Sequence, residues 1–131
     1  MRLDQSSLIP IYIQIAEGVE DDILSGLLNV DDQAYSQNHI AARFRINPAT
    51  AAKGLNLLVE EGVLYRKRGM GMYVAEEAVQ VIRKKRREKF RDDLLALVLR
   101  EAGKLGISRE DIKNMLDEVG EVDDNVGDTG N

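Results

Sequence analysis

Apolar residues at every fourth position set the first readable element. Ile11, Ile15, Val19 and Ile23 recur at that spacing, while Glu17, Glu20, Asp21 and Asp22 fall mostly elsewhere on the wheel. The pattern predicts an amphipathic helix of about four turns. Pro10 is expected at its first position, where a missing N–H costs nothing, and Gly26 at its C′ end. Leu27 to Ala34 reads as a connector containing Asp31 and Asp32.

Ser36 is a good cap for a short second helix, Gln37 to about Phe44, with Ile40, Ala41 and Phe44 facing inward. Arg45 and Ile46 make the turn. Asn47 then caps a third helix with Pro48 at its first position, running to Glu61 with Gly62 as the C′ residue. At 100° per residue, Ala51, Leu55, Leu58 and Val59 share the core side, and Ala49, Thr50, Lys53 and Asn56 occupy the other. Polarity alone fits a solvated face. The segments Val63–Arg66 and Met72–Val74 read as two strands turned by Gly69 and Gly71, with the cations Arg66, Lys67 and Arg68 beside them. Two short helices followed by a basic hairpin make a helix-turn-helix with a wing, and that neighbour turns the polar face of the third helix toward DNA.

From Glu76 to about Gly103 the pattern predicts one long helix, opening with the run Arg83–Lys89. Such a run is solvated helix surface or a contact with the DNA backbone. Phe90, Leu94, Leu95, Leu97, Val98, Leu99, Ala102 and Leu105 cover an arc of roughly 200°, wider than packing on one neighbour requires. Gly103 and Gly106 mark a break, Ser108 with Asp111 resembles a capped start, and a last helix carries Ile112, Met115, Leu116 and Val119. A partner chain is the simplest sink for this apolar surface, docking on the N-terminal domain being the other. The candidate dimer interface is Phe90, Leu94, Leu97, Val98, Leu105, Ile112, Met115 and Leu116.

These elements divide the 131 residues into a winged helix-turn-helix domain at 1–75 and a two-helix dimerisation segment at 76–119. An acidic, Gly-rich tail at 120–131 is expected to be disordered. The fold class is mainly α with a small β-hairpin. The net charge of −5 argues against nucleic acid until its distribution is considered. Residues 36–74 hold Arg43, Arg45, Lys53, Arg66, Lys67 and Arg68 against Glu60 and Glu61, a local excess of four positive charges. The field over a contact surface governs binding more than whole-chain charge does. The acidic balance still predicts weak non-specific DNA binding.

His39 is the only histidine and there is no cysteine, so neither a His- or Cys-based metal site nor a Ser–His or Cys–His catalytic pair can be assembled. No enzyme activity and no cofactor are expected. The N-terminus lacks a signal-peptide core, and no run nears the ~18 apolar residues that span a membrane. A cytoplasmic protein without membrane partners is the expectation.

Five stretches in order resemble the GntR family of bacterial transcription regulators. They are Ile9–Ile15, Ile23–Gly26, Ser36–Ala41, Asn47–Thr50 and Arg68–Val74. The Asn-Pro-x-Thr start of the third helix and the short two-helix C-terminal segment resemble the YtrA-type subgroup. The resemblance implies a homodimer on a two-fold symmetric operator, usually as a repressor, with the recognition helix in the major groove and the wing on backbone or minor groove. It makes transport control a guess, and the C-terminal segment looks too short to enclose an effector pocket. Geometry and resemblance together give a candidate DNA-binding set: Ser36, Asn38, His39, Arg43, Arg45, Asn47, Ala49, Thr50, Lys53, Arg66, Arg68, Gly69 and Gly71. The chain departs from the family at Asn38, where an Arg is common, at Tyr35, commonly Pro, and at Met72, commonly Thr. The alternative is a winged-helix module that binds protein instead of DNA, consistent with the acidic balance and the missing Arg.

Overall fold

The computed structural model describes residues 1–127, with side chains described through Gly120. The chain forms two compact units, Met1–Arg86 and Arg87–Asn131. In the first, α1 spans Ile11–Leu24, α2 Gln37–Phe44 and α3 Pro48–Glu60, followed by β1 Leu64–Lys67 and β2 Gly71–Val74. Helix α4, Ala78–Lys89, begins in this unit.

The core of the first unit forms where the apolar stripes of α1, α2 and α3 meet. Ile15, Val19, Ile40, Leu55 and Leu58 are at most 1% exposed, and Leu64 and Val74 close the layer from the hairpin. Ala78 and Ile82 are also fully buried in this cluster, so the first turns of α4 belong to the N-terminal core. Each large side chain buried this way contributes about 1.5–3 kcal/mol. Contact between α1 and α3 depends on Gly54. A Cβ there would stand 2.7 Å from the Tyr12 carbonyl oxygen and 3.0 Å from Ile15 Cγ2.

Helix ends follow the local chemistry. The Ser36 hydroxyl accepts from the His39 N–H, and Asn47 Oδ1 accepts from the Ala49 N–H. Pro10 stands one position earlier than expected, as the capping residue of α1. Gly26 and Gly62 both adopt the left-handed conformation that ends a helix. Arg45 takes it too, at φ 54°, with its N–H donating to the Ala41 carbonyl. This bends the chain between α2 and α3.

The strands pair antiparallel with Leu64 opposite Val74, Tyr65 opposite Tyr73 and Lys67 opposite Gly71. The connector of the sequence reading lies along β2. The Ala34 N–H donates to the Met72 carbonyl (2.8 Å), the Asp31 N–H to that of Val74 (2.9 Å), and the Val74 N–H to that of Asp32 (3.0 Å). Gln33 and Tyr73 form a bridge.

Glu20 departs furthest from the expected wheel. It is fully buried, and its carboxylate receives Lys85 Nζ and, at 3.1 Å, Arg86 Nη2. Arg86 also binds Asp21 at 2.7 Å and the Glu17 carbonyl at 3.1 Å, while Lys85 reaches Glu61 at 3.1 Å. Two cations of the basic run are thus engaged within the protein.

In the second unit a π-helical stretch, Phe90–Leu95, leads into α5, Ala96–Lys104, and α6 spans Arg109–Gly127. The wider π turn advances each residue by a smaller angle, so the arc drawn for a uniform α-helix is redistributed here. The Ser108–Asp111 capped start forms, each side chain accepting from the other's N–H at 3.0–3.1 Å. Helix α6 runs past position 120, where the tail is expected to begin, with Gly120 staying helical. The remainder of the expected tail, 128–131, lies outside the described residues.

Candidate nucleic-acid interface

Helix α3 presents its first two turns outward. Asn47, Ala49 and Lys53 are exposed and Thr50 is half-buried. Its first turn carries no acid, and Pro48 occupies the start. Unpaired N–H groups and the positive end of the helix dipole therefore face solvent without a competing carboxylate nearby in sequence. Lys53 Nζ lies 4.0 Å above the Tyr12 ring, which holds the ammonium beside the helix instead of letting it sweep freely. Tyr12, Ala49, Ala52, Lys53, Asn56, Leu57 and Glu60 line a groove along α3.

The Asn47 and Ser36 oxygens serve as helix caps. The Asn47 amide nitrogen and the Ser36 hydroxyl proton remain available as donors. Asn38 and His39 are exposed in the first turn of α2. The Tyr35 ring stacks on His39 at 6.4 Å between centroids. Tyr35 in turn donates its hydroxyl to Asp22 Oδ2 at 2.7 Å, tying the start of α2 to α1. Burial, and then this bond, push the Tyr35 hydroxyl up to about 12. Arg43 lies over the Phe44 ring at 5.3 Å, and Arg45 is exposed in the turn.

On the wing, Arg66, Lys67, Arg68, Gly69 and Gly71 are all exposed. The Met70 N–H donates to the Lys67 carbonyl at 2.9 Å, closing a tight turn with Arg68 and Gly69 at its tip, where Gly69 has φ 74°. Lys67 Nζ sits 4.3 Å over the Tyr73 ring. The Arg66 guanidinium donates to Asn56 Oδ1 on the outer face of α3. That bond brings two clusters of the sequence reading, recognition helix and wing, against each other. It also means Arg66 is a restrained cation, not a free one. Asn56, Tyr12 and Gln33, absent from the sequence-derived set, prove to be its immediate neighbours. Only the outward wheel position of Asn56 hinted at this.

Among the described residues no group of three His, Cys, Asp or Glu could hold a metal ion. No described helix is long and apolar enough to cross a membrane. In the second unit Phe90, Leu94, Leu97, Val98, Leu105, Met115 and Leu116 are exposed, between 40% and 74%, and Ile112 is half-buried.

Residues 11–74 match the family model described as bacterial regulatory proteins, gntR family. The HTH-type transcriptional repressor YtrA of Bacillus subtilis is 26% identical over 119 residues, covering 91% of each protein. A putative GntR-family transcriptional regulator from Bacteroides thetaiotaomicron has a crystal structure that superposes with a TM-score of 0.74. It is 32% identical and the match covers 85% of this chain and 96% of that one. The DNA-binding domain of AraR, in complex with operator ORR3, matches with a TM-score of 0.50 at 28% identity, covering 57% of this chain and 90% of that one. Against some longer curated relatives the chain spans only 33% or 30% of their length.

Proposed function

The chain belongs to the GntR family of bacterial regulatory proteins, and we propose that it is a transcriptional repressor binding a two-fold symmetric operator as a homodimer. As a GntR-family winged helix it is a DNA-binding transcriptional regulator, not an enzyme. In this proposal α3 enters the major groove. Ala49, Lys53 and Asn38 approach base edges or phosphates, Ser36, Asn47 and Thr50 offer donors to the backbone, and Arg43 or Arg45 lies beside it. The tip, Arg68, Gly69 and Gly71, meets the adjacent backbone or minor groove, with Arg66 at its base.

The carrying observation is the Arg66–Asn56 bond, which ties the basic wing to the third turn of α3, the helix whose capped first turn carries no acid. The exposed apolar side chains of α5 and α6 favour a second copy as their cover, since contiguous apolar surface left in water is costly. Dimerisation then supplies what an acidic chain with Asn38 lacks, two weak sites acting as one. Its repressor role follows the printed name of YtrA.

Selection of bound fragments from random DNA at near-physiological salt tests the reading. Enrichment of an inverted repeat, with half-sites about one helical turn or a multiple apart, is expected. Recovery of no fragment would favour a protein-binding winged helix, and unpaired half-sites would remove the dimer.

A further inference from the structure

The wing turn contains two glycines with left-handed backbone, Gly69 at φ 74° and Gly71 at φ 98°. Glycines lose more conformational freedom on ordering than other residues, and a two-stranded hairpin by itself is marginal in water. Something must therefore hold this tip. Gln33, Tyr73 and Tyr65 form a cross-strand row, Gln33 bridging to Tyr73 and Tyr73 paired with Tyr65. Residues directly opposite in an antiparallel pair share one face of the sheet. From that row the Gln33 side-chain amide donates to the Met70 carbonyl at 3.0 Å, and the Tyr73 hydroxyl donates to the same oxygen at 3.2 Å. The amide also lies against Gly71, where an added Cβ would come within 3.1 Å of Gln33 Nε2. Tyr65 anchors the row by donating to Asp31 Oδ1 at 2.7 Å.

We propose that Gln33 is a positioning residue for the wing, its amide and the Tyr73 hydroxyl latching the Met70 carbonyl so that the Arg68–Gly69 tip is ordered before DNA arrives. The proposal rests on the DNA-binding reading above. Gln33 itself touches no DNA in this scheme. It acts by removing ordering cost from the binding step, which is how preorganised loops gain affinity.

Gln33→Met keeps the length and neutrality of the side chain and removes the donor. Two measurements are made on the full chain: amide hydrogen exchange of Met70 and Gly71 in the free protein, and affinity for the selected operator across a salt series. Loss of one modest hydrogen bond should speed exchange and weaken binding by about three- to tenfold each. The salt slope should stay at its wild-type value because no phosphate contact is lost, and the thermal midpoint should fall by no more than the few degrees one hydrogen bond is worth. Gln33→Lys, which restores a donor of similar reach, should return the exchange rates toward wild type.

Wild-type exchange in Gln33→Met would mean that there is no latch. Faster exchange with unchanged operator affinity would mean that the latch does not position the wing. If the wild-type chain binds no operator, the DNA reading itself falls, and the exchange rates still report whether the latch exists.

Discussion

Glu20 Oε1 accepts from Arg86 Nη2 at 3.1 Å across the α1–α4 contact, and Glu20 is the one buried charged side chain among the described residues. A carboxylate without water around it survives only with partners. Here Lys85 and Arg86, each about one-third exposed, supply them. Replacing Arg86 with Met should destabilise by about 3 kcal/mol, since it leaves Glu20 buried with a single cation. Glu20→Gln should cost less, because both cations can rehydrate. Urea denaturation midpoints order the two variants, and equal, negligible losses would mean that the cluster is solvated.

Tyr35 ties the stability of the fold to alkaline pH. Its folded pKa is raised from 10.0 to about 12, so the folded state holds this proton more tightly. The associated stability is fully present below pH 10 and is lost as pH rises through 12. Lys85 acts in the same direction. Burial works to lower its pKa, but its bonds to Glu20 and Glu61 outweigh that and raise it above 10.5. Stability should therefore fall across this alkaline window, and Tyr35→Phe should flatten the fall. A phenolate titration checks the assignment: the tyrosine that ionises at the highest pH should vanish from the curve in Tyr35→Phe.

Gly54 should resist even the smallest side chain. Ala normally gains about 1 kcal/mol over Gly inside a helix. At this position the new methyl would meet the Tyr12 carbonyl at 2.7 Å, so α1 and α3 must separate. Gly54→Ala is expected to lose about 2 kcal/mol by chemical denaturation. A variant more stable than wild type would show that the two helices part at no cost.

Lys53→Ala and Arg68→Ala should each weaken operator binding while leaving thermal unfolding nearly unchanged, since both side chains are exposed. Each lost phosphate contact should flatten the plot of log affinity against log salt by about one unit. Wild-type affinity in both variants would remove α3 and the wing from the interface.

Leu94→Glu with Val98→Glu places two charges on the exposed apolar face of the second unit. Sedimentation at micromolar concentration should show the pair converting a dimer to a monomer, with operator affinity falling alongside. A monomeric wild type would refute the partner argument.

Local chemistry made most of the first unit legible. Asn47-Pro48 announces a helix start whatever surrounds it, because cap and ring act within one turn. Gly26 and Gly62 mark helix ends for an equally local reason. The strand pair around Gly69 and Gly71 was readable too. Periodicity could not place Glu20, since its partners lie 65 and 66 positions away and the wheel counts only polarity. The same holds for Gln33, which reads as connector until β2 comes alongside it, and for the restraint of Arg66 by Asn56. The order of elements and the acid-free start of α3 were readable along the chain because caps, turns and apolar periodicity act within a few residues. Which cations are engaged inside the protein, as Lys85 and Arg86 are at Glu20, could be settled by the fold alone, because long-range pairing depends on where the chain folds back.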